Sequence, residues 1–238
     1  MKKIGILGTY NKNNERPFLS TQSFVNNYID RVSEAGAIPV GILFSKNNFS
    51  EKFLDDLDGI IIPGGSHVTL THVLLIHYAF IHKKALLGIC LGLQAIGIYD
   101  FVAQKILNDN LEVNYENLKK YFNEEIENEC LIKVEDHNKE PEFYNDSIPN
   151  SKHEVFIENG TKLFDIYKKN TMQFVSVHNY VIKSISDRFI VSAKSTEGYI
   201  EGVEYDGDLP IIGTQFHPEI ENESSIIFEH FINNLKEK

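Results

Sequence analysis

Apolar residues in the first hundred positions fall into two alternating textures. Short unbroken runs at 3–8, 37–43, 59–62 and 85–89 have the length and content of strands buried on both faces. Between them, the stretches 20–34, 51–56, 70–83 and 92–107 space their apolar residues three and four apart, which predicts helices. Gly36 stands just past the first of these, where a helix stop is expected. Such alternation predicts an α/β fold, a mostly parallel central sheet flanked by helices. After residue 152 the texture changes to short β-rich runs at 153–157, 173–177, 189–194, 199–205 and 210–215, and a last helix over about 223–236 closes the chain.

Three strand ends carry candidate chemistry. The run Ala85 to Ile89 stops at Cys90, between Gly88 and Gly92, and the pattern then turns helical through Leu93 and Ile96. A strand that turns into a helix at a nucleophilic residue is an elbow, and the glycines allow the tight crossing. The helix N-terminus favours thiolate over thiol. Far downstream, Ile211 to Thr214 leads into Gln215-Phe216-His217-Pro218-Glu219. His217 is the candidate base, and Glu219, two residues on, can fold back to orient it. Asp58 to Ile62 runs into Pro63-Gly64-Gly65, a glycine turn whose exposed amides suit an oxyanion. Leu91, the residue after the nucleophile, is the second candidate oxyanion donor. All three places lie at C-terminal strand ends, where open α/β sheets build their sites.

Taken together, Pro63-Gly64-Gly65, Gly88-Ile89-Cys90-Leu91-Gly92-Leu93-Gln94 and Gln215-Phe216-His217-Pro218-Glu219 resemble the class I glutamine amidotransferase superfamily. Within it the chain most resembles the γ-glutamyl-γ-aminobutyrate hydrolase-like (γ-glutamyl hydrolase) branch, to which Ser176-Val177-His178 is also similar. The resemblance runs from residue 3 to about 100 and from about 152 to the end. It implies a flavodoxin-like sheet and a Cys90-His217-Glu219 triad working through a thioester. It also implies an oxyanion hole at Gly65 and Leu91, and substrate contacts from Gly64, Gln94, Ser176 and His178. The branch often has Asp where this chain has His67, Arg where it has Leu91, and Gln where it has Tyr180.

Composition narrows the setting. The 238 residues, 42% hydrophobic, suffice for a single domain over 1–238. No apolar run approaches a membrane span, and the N-terminal apolar stretch is too short for a secretory signal. Two cysteines argue for a reducing, cytoplasmic setting. A net charge of −11 argues against nucleic acid and anionic membranes as partners. Residues 111–150, with eleven acids and four bases, carry −7 of that charge and read as an acidic insertion, either a solvated surface or a lid or docking face. Within it, Leu118, Tyr121, Phe122 and Ile126 could share one face of a helix.

Cys130, among acids, is expected to be inert, and His67, His72, His77 and His153 to be ordinary surface or core residues. No metal site is expected, because no cluster of His, Cys and acids stands at ligand spacing, and no cofactor is required. The expected activity is cysteine-dependent hydrolysis of the γ-glutamyl amide bond of a small γ-glutamyl compound. Two alternatives stand beside it: a glutaminase subunit delivering ammonia to a partner synthase, and a non-enzymatic binding or regulatory homologue. A homodimer is left open.

Overall fold

The computed structural model describes residues 1–13, 15–45, 49–123, 125–135, 137 and 152–235. The elements are β1 (Lys3–Leu7), β2 (Thr9–Asn11), β3 (Thr21–Ser23), α1 (Asn26–Glu34), β4 (Ile38–Ile42), β5 (Gly59–Ile62), α2 (Leu70–Ile81), β6 (Ala85–Ile89) and α3 (Leu91–Asn108). There follow α4 (Tyr115–Tyr121), α5 (Ile126–Cys130), β7 (Leu131–Lys133), β8 (Lys152–Ile157), α6 (Lys162–Tyr167), β9 (Thr171–Val175) and β10 (Tyr180–Ile182). Last come β11 (Phe189–Ser195), β12 (Ile200–Tyr205), β13 (Ile211–Thr214) and α7 (Ile226–Asn233).

Among the described residues, nine strands form one sheet in the order β4-β1-β5-β6-β13-β12-β11-β8-β9. From β4 to β13 neighbours are parallel, and from β13 to β9 they are antiparallel. The parallel core and its flanking helices are those expected of the class I glutamine amidotransferase-like fold. The β-rich C-terminal half adds the antiparallel wing. β13 returns to pair with β6, so the ends of β5, β6 and β13 lie side by side. These are the three strand ends that carry the glycine pair, Cys90 and His217.

Both faces of the parallel strands are covered, which is why they read as continuous apolar runs. Ile60 and Ile62 point into one core with Leu74, Leu75 and Ile96 of α2 and α3. Ile61 and Leu87 point into the other, with Val32, Phe228 and Phe231 of α1 and α7. α3 is itself buried over most of its length, because α2, α4 and α5 pack on it. The acidic segment is therefore not wholly solvated: Leu118, Ile126 and Cys130 join the core. Its residues 124, 136 and 138–150, and the end of the last predicted helix at 236, lie outside the described residues.

Several boundaries differ from expectation for identifiable reasons. The first predicted helix begins at Asn26, because Thr21–Ser23 pairs with Thr9–Asn11 as a hairpin. Residues 51–56 form turns, closed by Leu54 N to Glu51 O and Leu57 N to Leu54 O. The apolar face spanning Leu118 to Ile126 belongs to two helices, since Phe122 leaves α4 in an extended conformation. α6 was not anticipated; at six residues, capped by Thr161, it is too short to show a period.

The close approach of α3 to the sheet fixes two glycines. A Cβ on Gly88 would lie 2.7 Å from the Gly92 carbonyl, and a Cβ on Gly92 would lie 2.2 Å from the Ile62 carbonyl oxygen. Neither neighbour is a flexible side chain that could swing aside. Gly92→Ala is expected to destabilise the chain by about 1–3 kcal/mol or more, read as a lower urea midpoint, with Cys90 more accessible to thiol reagents. An unchanged midpoint would contradict this packing.

Candidate active site at the ends of β5, β6 and β13

Cys90 forms the corner between β6 and α3. Its backbone sits at φ 54°, ψ −102°, a left-handed conformation that is strained for a residue with a Cβ. Its amide donates to Thr214 O at 2.7 Å and its carbonyl accepts from Gln94 N at 3.2 Å, which hold the corner in place. The residue is 6% exposed. Its sulfur accepts from Gln215 Nε2 at 3.6 Å and faces Val177 O at 3.9 Å.

His217 leaves β13 by a turn held at two points. Its amide donates to Val175 O at 2.9 Å, and the preceding Phe216 ring stacks on Phe174 with centroids 3.7 Å apart. Nδ1 pairs with Glu219 Oε1 at 2.7 Å. Nε2 is buried and, among the described residues, has no hydrogen-bond partner. Gly64 lies between the imidazole and the cysteine: a Cβ there would stand 3.0 Å from His217 Cε1 and 3.6 Å from Cys90 Cβ. Burial pulls the His217 pKa down, but the Glu219 carboxylate and Cys90 outweigh it and hold the imidazole well above its usual range. The arrangement thus favours the protonated imidazole.

Gly65 and Leu91 are in contact across the corner, since a Cβ on Gly65 would meet Leu91 Cδ2 at 2.8 Å. Among the described residues neither amide has a hydrogen-bond partner. A cleft of about 860 Å³ opens next to them, lined by Thr9, Lys12, Gly64, His67, Leu91 and Glu127, among others. Cys90 and His217 are not among the residues that line it, but Gly64 and Leu91, which adjoin Cys90, are.

A profile described as "Glutamine amidotransferase class-I" matches residues 20–234. The chain belongs to the class-I glutamine amidotransferase family. The γ-glutamyl-γ-aminobutyrate hydrolase PuuD of Escherichia coli is 24% identical over 239 residues, spanning 90% of this chain and 86% of that protein. CTP synthase of Nautilia profundicola is 27% identical over 191 residues, 72% of this chain but 33% of that protein. A solved glutamine amidotransferase structure from Thermotoga maritima superposes with a TM-score of 0.59 at 12% identity, covering 98% of this chain and 84% of the other. The chain is thus grouped with enzymes of the amidotransferase and hydrolase kind.

Other residues singled out from the sequence of this amidotransferase-family chain fall in different places. Gln94 is buried, its Nε2 donating to Tyr180 O at 2.8 Å and Gln215 Oε1 at 3.4 Å. Ser176 and His178 are also buried, and Ser176 Oγ donates to His137 O at 3.4 Å. None of the three is among the residues that line the cleft. His67 is exposed, 3.6 Å from Glu127, and Glu127 Oε1 accepts from Val68 N at 2.6 Å. The acidic segment therefore braces the loop that follows the glycine pair. His72 Nδ1 accepts from Thr69 N, capping α2, and His77 contacts Tyr99. Burial, then Glu129, pushes the Cys130 thiol up to about 12, consistent with an inert residue. Both cysteines are free.

Sequence reasoning passed over two residues of this site. Gln215, the N–H donor to the sulfur, follows the last residue of β13 and stands two positions before His217, within the same motif. Tyr28 of α1 accepts from Gly64 N at 3.1 Å and lies beside Glu219; burial and that carboxylate push its hydroxyl well above the usual tyrosine range. Only the fold brings it there.

The His217 shift predicts a pH-dependent stability. A raised folded pKa stabilises the chain fully below the unfolded value of about 6.5, and that stability is lost as pH rises through the folded pKa. Urea unfolding of wild type should weaken across that window, while Glu219→Gln, which removes the leading cause of the rise, should flatten the slope. Equal slopes in the two proteins would contradict the assignment.

Proposed function

We propose that this chain is a cysteine-dependent hydrolase that cleaves the γ-glutamyl amide bond of a small γ-glutamyl compound. The observation that carries the reading is the convergence on Gly64 of a strained, helix-capping Cys90 and a His217 already paired with Glu219. A nucleophile, a base and a group that orients the base are then within one shell of each other.

The chemistry runs in two halves. Cys90 sulfur attacks the γ-carbonyl carbon and the carbonyl electrons move to oxygen, where the amides of Gly65 and Leu91 receive the negative charge; loss of one such donor typically costs about 2.7–4 kcal/mol. The tetrahedral adduct collapses, the C–N bond breaks, and His217 gives its proton to the departing amine. His217, now neutral, takes a proton from water, whose oxygen attacks the thioester carbon and expels the Cys90 thiolate. Glu219 holds the imidazole through both halves. Gln215 donates to the sulfur and stabilises it as an anion. The cleft carries Lys12 and Glu127, opposite charges that suit the α-carboxylate and α-ammonium of a γ-glutamyl head. Gln94, Ser176 and His178 act by holding the walls behind Cys90. Two free cysteines fit a cytoplasmic setting, and among the described residues no helix is long and apolar enough to cross a membrane.

A second reading, a glutaminase subunit serving a synthase, draws on the match to one third of a CTP synthase. The two are separated by assaying the purified chain alone against free glutamine and a panel of γ-glutamyl amines. A hydrolase cleaves at least one γ-glutamyl amine without a partner, and Cys90→Ala lowers that rate by about a thousandfold or more with the far-UV spectrum unchanged. Activity that survives Cys90→Ala, or release of ammonia only when a synthase is added, would overturn the hydrolase reading.

A further inference from the structure

A second group of titratable side chains lies in the antiparallel wing, and the chemistry at Cys90 does not use it. His153 on β8, Glu201 on β12, His178 just after β9 and His137 after β7 offer ligand atoms that all lie within 4.8 Å of one another. Their positions are scattered over four segments, so no ligand spacing announces them in the sequence, and the expectation of no metal site rested on that spacing alone.

We propose that His137, His153, His178 and Glu201 form a binding site for one divalent transition-metal ion of the zinc class. Around a tetrahedral ion with bonds of about 2.0–2.1 Å, neighbouring ligand atoms stand about 3.3 Å apart. The distances observed approach that value. His153 Nε2 is 3.4 Å from Glu201 Oε2, His178 Nε2 is 3.5 Å from Glu201 Oε1, and His137 Nδ1 is 3.8 Å from Glu201 Oε1.

The same atoms are otherwise stranded. Glu201 is fully buried, and His137 and His178 are 4% and 3% exposed. Among the described residues, both Glu201 oxygens, both ring nitrogens of His153 and of His178, and Nδ1 of His137 have no hydrogen-bond partner. A buried polar atom without a partner costs on the order of 1–3 kcal/mol. One cation in the middle satisfies one atom from each of the four residues at once. A single imidazolium paired with Glu201 would leave the other two rings facing it across the same small volume.

The surroundings fit a held ion. His137 Nε2, on the far side of its ring, is 3.5 Å from Glu197 Oε2, the outer carboxylate that orients a ligating imidazole. Three neutral imidazoles and one carboxylate leave one positive charge on a divalent ion, and Glu197 offsets it. N and O donors without thiolate suit zinc and its first-row neighbours. With four protein ligands and no open position, the site is structural rather than catalytic. Its place gives it a job. His178 follows Val177, whose carbonyl faces Cys90 sulfur, and Glu201 O accepts from Gln215 N at 2.8 Å, on the residue whose side chain donates to that sulfur. An ion there ties four segments together directly behind Cys90.

The test is metal content and affinity of the full chain, which needs no assay of the reaction. Wild type should bind one equivalent of Zn²⁺, and Co²⁺ put in its place should show the visible absorption of a four-coordinate ion. His153→Ala and His178→Ala should weaken Zn²⁺ binding by about 100-fold or more, and Glu197→Gln by about tenfold. Cys90→Ala should leave it unchanged. His137→Ala, outside the nine-stranded sheet, should weaken binding with the far-UV spectrum intact, which separates loss of a ligand from loss of the fold. Wild type without stoichiometric Zn²⁺ binding, or binding equal in wild type, His153→Ala and His137→Ala, would overturn the proposal.

Discussion

Everything at this site depends on how closely α3 can approach the sheet. With bare glycines at 88 and 92, the first turn of the helix sits against the Ile62 carbonyl, and the chain must turn from strand to helix within one residue. That residue is Cys90, and its left-handed backbone stores strain on the order of 1–3 kcal/mol. The burial of α3 between the sheet and α2, α4 and α5 holds the strained corner in place. The consequence is chemical: the corner holds Cys90 at the N-terminus of α3, on the side of Gly64 that also meets the imidazole.

Among the described residues few charges are buried, and at the candidate site the buried one is compensated. Glu219 is nearly buried, yet it accepts from His217, lies beside the Tyr28 hydroxyl, and has its own backbone carbonyl bound by Arg31 Nε at 3.0 Å. An uncompensated carboxylate at that depth would be strongly unfavourable. Paired as it is, it raises the His217 pKa against the pull of burial, and a proton is available where an amine would depart. The wing holds the contrasting case. Glu201 is surrounded by three imidazoles with no bond of good geometry to any of them, and a cation resolves what the protein atoms alone leave unsatisfied.

The parallel half of the fold was legible because its strands are buried on both faces and its helices are long. Each therefore prints a distinct pattern, and the glycines at 64, 65, 88 and 92 mark the corners. The three strand ends that carry Cys90, His217 and Gly64-Gly65 were legible for the same reason. What escaped depends on contacts between distant segments. The β2–β3 hairpin overrides an apparent helix start, and Phe122 breaks an apparent single helix. Gln94 bonds Tyr180 and Gln215, partners far from it in sequence. The four residues gathered around Glu201 come from separate elements, so their meeting is a property of the antiparallel register and not of any motif. Glu127 shows the same limit: its charge was visible, but not that it braces the loop after Gly65.

The central claim is that the sulfur of Cys90 forms a covalent bond to a γ-glutamyl carbonyl. Incubation of the full chain with a γ-glutamyl electrophile, followed by peptide mapping by mass spectrometry, reads that bond directly. The account predicts one adduct per chain, on Cys90 alone, formed more slowly when His217 is replaced by Ala. An adduct on Cys130, or none on Cys90 while the chain remains folded, would contradict it.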